Sequence, residues 1–396
     1  MALTHQIEKL SLSNKTVFLR LDLNVPIQEG KILDESRILA ALPTLQYILS
    51  HTNRVCVASH LGRPKSKHDR SLSLQPVGER LAELTDREVL LVEDYNEEPV
   101  DQVLKQLGKN QFVLLENLRF HQEEANNDLN FAKNLAKGID YYVNDAFGAI
   151  HRKHASIVGV ASLIPSERSA AGYLVEKEIR ALDALMKSPS PFTVVLGGSK
   201  VSDKIKLILN LVNHCNDLII GGAMAYTFLK YQGVDVGNSL VEEDKMEFVA
   251  AIYRAAESRN VNIHLPVDHL CATEFSKNAV ATHVCDQSFA KPYLGLDIGP
   301  QTLEKIGRVI KDSKTVFWNG PMGVFEWEAF SQGTIGVAHL LARCKGYTLV
   351  GGGDSVFAVN RANLKEDFSH VSTGGGASLE YLEGQSLVGL KALQES

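Results

Sequence analysis

Short apolar or β-branched runs alternate with longer amphipathic stretches along the whole chain. The runs are Val17–Val25, Val55–Ala58, Val113–Leu115, Tyr141–Val143, Phe192–Leu196, Leu218–Ile220, Val261–Leu265, Thr315–Trp318, Thr348–Val350 and His370–Ser372. Each ends in glycine or polar residues, and a segment with helical spacing of apolar positions follows. Strands of this length alternating with helices predict βαβ units, hence mostly parallel sheets covered by helices on both faces. The stretch after the first run shows the pattern. Asp34 is placed to cap a helix, and Ile38, Ala41, Leu42, Leu45, Ile48 and Leu49 form one apolar stripe. In such folds ligands sit beyond the carboxyl ends of the strands, so the residues just after each run carry the most information.

Those residues differ between the two halves. In the first half they are polar and charged: Asp22 and Asn24, then His60, Gly62 and Arg63, then Glu116, Asn117 and Arg119, then Asn144 and Asp145. In the second they are glycine-rich: Gly197-Gly198, Gly221-Gly222, Gly351-Gly352-Gly353 and Gly374-Gly375-Gly376. An amphipathic segment (Leu174, Val175, Ile179, Leu182, Leu185, Met186) and the linker Ser188-Pro189-Ser190-Pro191 separate them. The expected architecture is α/β, with two Rossmann-like parallel-sheet domains joined by a hinge helix. The first domain is placed at 1–171, and the second at 172–379, beginning with a helix over 172–187.

The first half carries cations where a small anion would bind. Side-chain alternation puts Arg20, Asp22 and Asn24 on one face of the first strand, with Pro26 ending the ladder. Arg37 falls in the first turn of a helix, where a cation opposes the macrodipole. His60 to Arg70 holds four Lys or Arg against one acid, and Arg119 and Arg152 add two more guanidinium groups near strand ends. Any one of these alone reads as a surface residue paired with an acid. Four in one domain favour a pocket for a small polyanion, since guanidinium forks suit carboxylate and phosphate.

The glycine-rich half has a different chemistry. Glycine runs ahead of a helix let backbone N–H groups approach phosphate oxygens. Lys200 and Lys204 stand four residues apart, and Asp354 beside Ser355 offers a hard oxygen for Mg²⁺. No GxxxxGK[ST] or GxGxxG occurs, so neither a P-loop nor a dinucleotide fingerprint is present. His151 and His154 read as hydrogen-bonded histidines supporting Arg152 rather than metal ligands, and Glu97-Glu98 and Glu123-Glu124 as solvated faces. No cysteine sits in a recognisable reactive setting.

Composition narrows the class. The 396 residues carry 41 Lys and Arg against 47 Asp and Glu, a net charge of −6, which supplies no basic field for nucleic acid and no membrane patch. The five cysteines are scattered without a CxxC pair, as expected of reduced thiols. No apolar run approaches the ~18 residues of a membrane span, nor does the start resemble a signal peptide. A soluble cytoplasmic protein is expected. An anion domain and a Mg–nucleotide domain, linked by a helix, suggest phosphoryl transfer with closure to exclude water.

At these residues the sequence resembles the phosphoglycerate kinase family. The resemblance rests on Arg20–Pro26, Ser59–Pro64, Leu115–Phe120, Val143–Gly148, Gly197–Ile205, Gly295–Pro300, Asn319–Glu326, Gly351–Ser355 and Thr373–Ser378, in the family's order across almost the whole chain. Ser199 and Ser355 depart from the family's usual Ala or Thr. The resemblance implies reversible transfer of a phosphoryl group between 1,3-bisphosphoglycerate and ADP, giving 3-phosphoglycerate and MgATP. It implies phosphoglycerate binding by Asp22, Leu23, Asn24, Arg37, His60, Leu61, Gly62, Arg63, Arg119 and Arg152. It places the nucleotide at Lys204, Gly295, Glu326, Gly352, Gly353, Asp354 and Ser355, with Mg²⁺ on Asp354. Arg37, Lys200, Lys204, Gly374 and Gly375 would act on the transferring group. A monomer is implied, with residues 380–396 folding back on the N-terminal domain. Two rivals, a nucleotide-dependent ligase and a non-catalytic scaffold, fit less well: the motif set is specific, and Arg37, Lys200, Lys204 and Asp354 are intact.

Overall fold

The computed structural model describes residues 6–66, 69–95 and 99–395. Glu97-Glu98 and the Lys67-His68 part of the basic segment lie outside the described residues. The chain divides into two compact units, one running to Arg180 and taking up the segment from Ser386, the other Ala181–Gln385. The division falls within the helix Tyr173–Met186.

The first unit contains β1 (Val17–Leu21), β2 (Ile27–Gln28), β3 (Lys31–Ile32), β4 (Val55–Ala58), β5 (Glu88–Val92), β6 (Gln111–Leu115), β7 (Tyr141–Asp145) and β8 (Ser169–Ala171). Six of these form a parallel sheet in the order β5-β6-β4-β1-β7-β8, while β2 and β3 make a small antiparallel hairpin. The second unit contains β9 (Phe192–Leu196), β10 (Asp217–Ile220), β11 (Asn262–His264), β12 (His269–Ala272), β13 (Thr282–Val284), β14 (Leu294–Ile298), β15 (Thr315–Asn319), β16 (Tyr347–Gly351) and β17 (His370–Val371). Its parallel sheet has the order β11-β10-β9-β15-β16-β17, and β13-β12-β14 form a separate antiparallel sheet. The parallel sheets are the expected fold class; the antiparallel sheet was not expected.

Burial explains the near-continuous apolar strands. Every residue of β1, β4, β9 and β15 is buried, as a sheet covered on both faces requires. In the first unit the helix Ser36–His51 lays Ile38, Ala41, Leu45 and Ile48 against Val17, Leu19, Leu21 and Val57. The helix Val388–Glu395 belongs to this unit too, burying Leu390 and Leu393, with Gly389 N–H bonded to Ile150 O at 2.9 Å.

Three local expectations are corrected. The first strand ends at Leu21, where its partners also end (Arg20 pairs with Ala58, Leu21 with Asp145), so Asp22 and Asn24 lie in the following loop. Glu35, not Asp34, holds the cap position of the first long helix, although Asp34 accepts from Ser36 N–H at 2.8 Å. Lys200 is not helical: the next helix begins at Ile205, so helical spacing does not place it beside Lys204. In both parallel sheets the connection order reverses beside the first strand, between β4 and β7 around β1, and between β10 and β15 around β9. Ligands of doubly wound sheets bind at such switch points.

Candidate active site

At the first switch point four guanidinium groups gather around one histidine. Arg20 projects from β1 and is fully buried. Its Nε donates to Ser156 Oγ at 2.8 Å, and that hydroxyl donates to Glu124 Oε1 at 2.6 Å. Glu124 is itself fully buried and accepts Ser156 N–H at 2.9 Å, so the Arg20 cation is balanced through a serine bridge. Burial raises the Glu124 carboxyl, opposed by Arg20 and the Ser156 hydrogen bonds.

His60 lies 3.1 Å from Arg20 Nη2 through its Nδ1. A guanidinium only donates, so Nδ1 accepts, and the neutral ring keeps its proton on Nε2. Burial, then the charges of Arg20, Arg119, Arg152 and Arg37, hold His60 well below the usual histidine range. The charges of all four arginines thus bear on His60, and those of Asp22 and Glu124 oppose them at Arg20 and Arg119.

The loop backbone is tied to these side chains. Asn24 Oδ1 accepts Gly62 N–H at 2.8 Å, and Gly62 O accepts from Arg119 Nη1 at 2.6 Å. Gly62 takes φ +58°, a region L side chains rarely adopt, which suits glycine. Asn117 holds the same loop, accepting Leu61 N–H at 3.0 Å and donating to Leu61 O at 2.7 Å and Leu72 O at 2.9 Å. Leu23 N–H donates to Ser59 Oγ at 2.9 Å. Burial first, then Arg152 and Arg20, lowers Arg119 to about 10, and it remains a cation at neutral pH. Arg63 is exposed and Arg152 half-buried.

Among the described residues neither His151 nor His154 hydrogen-bonds Arg152 through its side chain; His154 N–H donates to Arg152 O at 2.9 Å. His154 Nδ1 stands 3.7 Å from Glu124 Oε1, and His151 Nδ1 has no hydrogen-bond partner. Among the described residues no group of three or more His, Cys, Asp or Glu could hold a metal. Of the other acidic pair expected to be solvated, Glu123 is exposed whereas Glu124 is the buried partner of Arg20.

The second unit offers a cleft of about 350 Å³ at its own switch point. Gly198, Gly222, Met322 and Gly323 form one part of its wall, Gly295 and Asp297 of β14 another, and Glu326 and Asp354 also line it. The first glycine runs do not present free N–H groups. Gly197 N–H bonds Asn319 O at 3.0 Å, Gly198 N–H bonds Pro321 O at 2.9 Å, and Gly222 N–H bonds Met322 O at 3.1 Å. Gly197 and Gly222 are required because backbone packs on backbone: a Cβ on Gly222 would stand 2.5 Å from Gly198 N, and φ there is +66°. This corrects the expectation that they cradle phosphate.

The later runs are more open. Gly353 and Gly375 have nothing within 4 Å of a Cβ position, and Asp354 is exposed. Ser355 is buried, and its Oγ accepts Gly320 N–H at 2.6 Å. Gly374 N–H donates to Ser372 Oγ at 3.2 Å, so this donor is occupied. Lys204 caps its helix and donates through Nζ to Asn319 Oδ1, while Lys200 is exposed. Burial lowers Lys204, opposed by the charges of Asp203 and Asp354.

Several residues had no role assigned from sequence. Arg20 reads as one member of an alternating strand, and nothing local shows that Glu124 will neutralise it. Asn319 and Asp297 sit inside quoted motifs without a stated function. Asp297 is buried at the cleft wall, accepting Ile298 N–H at 2.9 Å and Gly333 N–H at 2.8 Å, and burial pushes it up to about 8.

Comparison with known proteins places this architecture. A family model described as phosphoglycerate kinase matches residues 7–385. The phosphoglycerate kinase of Anaeromyxobacter dehalogenans (strain 2CP-C) is 49% identical over 393 residues, covering 98% of this chain and 99% of that protein. The one from Borreliella burgdorferi (strain ZS7) is 46% identical over 385 residues, 97% of each. The solved phosphoglycerate kinase from Coxiella burnetii aligns with a TM-score of 0.86 at 40% identity, covering 98% of both chains. That from Pyrococcus horikoshii OT3 aligns at 0.83 and 34% identity, covering 99% of this chain and 98% of the other. With model, sequence and structure agreeing over nearly the full length, the chain belongs to the phosphoglycerate kinase family, the phosphotransferases that pass a phosphoryl group reversibly between 1,3-bisphosphoglycerate and ADP to give 3-phosphoglycerate and ATP.

Proposed function

We propose that the first unit holds the phosphoglycerate and the second the Mg–nucleotide, with the division of labour carried by Arg20, Arg37, Arg119 and Arg152 gathering on His60. In this reading His60, through its Nε2–H, joins Arg63, Arg119 and Arg152 in binding the phosphate and carboxylate of the substrate. Asp22 and Asn24 accept from its hydroxyl; Asp22 already accepts from Arg37 and from Asn24 N–H, and Asn24 from Gly62 N–H, and lone pairs remain for another. Leu23, Leu61 and Gly62 shape the loops that hold these groups.

On the second unit Glu326 meets the ribose, Lys204 the nucleotide phosphates, and Gly295 the cleft wall. Gly352 stands at the cap of the helix Gly353–Arg361, and Gly353 and Ser355 flank Asp354 in its first turn. Mg²⁺ enters as part of the nucleotide substrate, supplying charge neutralisation at its phosphates. The exposed carboxylate of Asp354, with no group of three or more His, Cys, Asp or Glu among the described residues, suits an ion that brings most of its oxygens with it.

The acceptor carboxylate is ionised at neutral pH, its reference pKa being about 4, so no general base is needed. What remains is neutralising charge on the transferring group and holding the reactants in line. Arg37, Lys200 and Lys204 do this together with backbone donors of Gly374 and Gly375; Gly374 N–H must first leave Ser372. Bringing the two substrates together with water excluded is assigned to closure of the units about the Tyr173–Met186 helix. A monomeric enzyme of the cytoplasm completes the reading, consistent with five unpaired cysteines.

The test couples 3-phosphoglycerate, ATP and Mg²⁺ to glyceraldehyde-3-phosphate dehydrogenase and follows NADH. Turnover that requires Mg²⁺ and collapses in Arg37→Ala is expected. Folded protein that binds ATP without turnover would overturn the assignment.

A further inference from the structure

Apart from both ligand sites, a thiol, an imidazole and a carboxylate stand in line on the three-stranded sheet. Cys285 directly follows β13 and is the exposed member of the five cysteines; Cys56, Cys215 and Cys271 are buried and Cys344 is half-buried. Cys285 Sγ lies 3.5 Å from His283 Nδ1, and His283 Nε2 lies 2.8 Å from Asp268 Oδ2. Two residues apart at a strand end, His283 and Cys285 project to the same side.

Asp268 is fully buried and rigidly held. Its Oδ1 accepts Thr302 N–H and Thr302 Oγ1–H, both at 2.7 Å, and its Oδ2 accepts Gln301 N–H at 2.9 Å. Burial alone would raise this carboxyl, but the hydrogen bonds from Thr302, His283 and Gln301 outweigh it and keep it below the usual range. It is therefore ionised and only accepts. Neutral His283 must then carry its proton on Nε2 and turn the Nδ1 lone pair toward the thiol. Nucleophile, base and orienting carboxylate stand in the order that activates thiols in enzymes. The other thiols lack this setting: burial pushes Cys215 and Cys271 up to about 12 and raises Cys56 as well.

We propose that Cys285 is a modification site, a base-assisted thiol that exchanges with small disulfides. Nδ1 of His283 takes the thiol proton while Sγ attacks one sulfur of the disulfide. The reagent's S–S bond breaks as the new S–S bond forms, and the departing thiolate recovers the proton from His283. One thiol and one disulfide are consumed; one mixed disulfide and one small thiol are produced.

The full chain is exposed to 2-hydroxyethyl disulfide, a neutral probe, and mixed-disulfide formation at each cysteine is followed by peptide mass spectrometry. Cys285 reacts first, about tenfold faster than the same cysteine in urea-unfolded chain, a modest part of what a positioned general base contributes. His283→Gln lowers the folded rate about tenfold with kinase turnover unchanged. Equal rates for Cys285 in folded and unfolded chain, or an unaffected rate in folded His283→Gln, overturn the proposal. Should His283→Gln fail to fold, the folded-against-unfolded comparison in the unmodified sequence decides alone.

Discussion

Arg37 donates from Nη1 to the Asp22 carboxylate at 2.8 Å, joining the first turn of a helix to the loop after β1. A cation is disfavoured in a first helical turn, and the nearly buried carboxylate offsets that cost while aiming the guanidinium. Arg37 is assigned to the transferring group rather than to the resting substrate. Arg37→Ala is expected to lower kcat about a hundredfold or more, the usual effect of losing one donor to developing charge. The KM for 3-phosphoglycerate should change little. Steady-state kinetics in which KM bears the loss would reassign Arg37 to ground-state binding.

Arg119 should behave in the opposite way. It is held by Gly62 O at 2.6 Å and crowded by the charges of Arg152 and Arg20. A bound polyanion relieves that repulsion. Losing one charge-assisted contact of about 1.5–3 kcal/mol raises KM for 3-phosphoglycerate about tenfold to a hundredfold, with kcat nearly retained. The KM of the unmodified chain should rise more steeply with salt than that of Arg119→Ala.

Asp297 makes stability depend on pH. Its folded value of about 8 lies above the ordinary 3.8, because burial disfavours the anion. The folded chain then binds one proton more than the unfolded chain between these values. Its contribution is complete below about pH 4 and declines toward pH 8, by up to about 1.4 kcal/mol per pH unit. Urea unfolding should show the unmodified chain losing stability relative to Asp297→Asn from pH 5 to 8. A difference independent of pH would mean that Asp297 is ionised in the fold.

Gly295 is a steric prediction. A Cβ there would run into the buried Tyr226 hydroxyl, which is 3.2 Å from His269 Nδ1. Tyr226 also lines the cleft, so relief requires moving its wall. Gly295→Ala is expected to cost about 1–3 kcal/mol of stability, as overpacking does. It should also raise KM for ATP while leaving KM for 3-phosphoglycerate unchanged. Thermal unfolding and nucleotide titration check the two effects.

The alternation of apolar runs with amphipathic segments was enough to predict two parallel-sheet domains, because the periods of strand and helix are local properties of the chain. Residue types after the runs separated an arginine-rich half from a glycine-rich half, and the ordered motifs identified the family. Local pattern failed where partners are distant. β5 was missed although Val89–Val92 is a continuous apolar run, lying half-exposed at the sheet edge, and β12, β13 and β14 gain their stability by pairing with one another. Only the tertiary structure decided that Glu124 neutralises Arg20 through Ser156, that the first glycine runs bond to the Asn319–Met322 backbone, and that Asp268 orients His283 toward Cys285. The reason is physical in each case. Alternation along a strand assigns a side chain to a face, whereas its ionic partner, its burial and the fate of each N–H depend on which segments the fold packs against it.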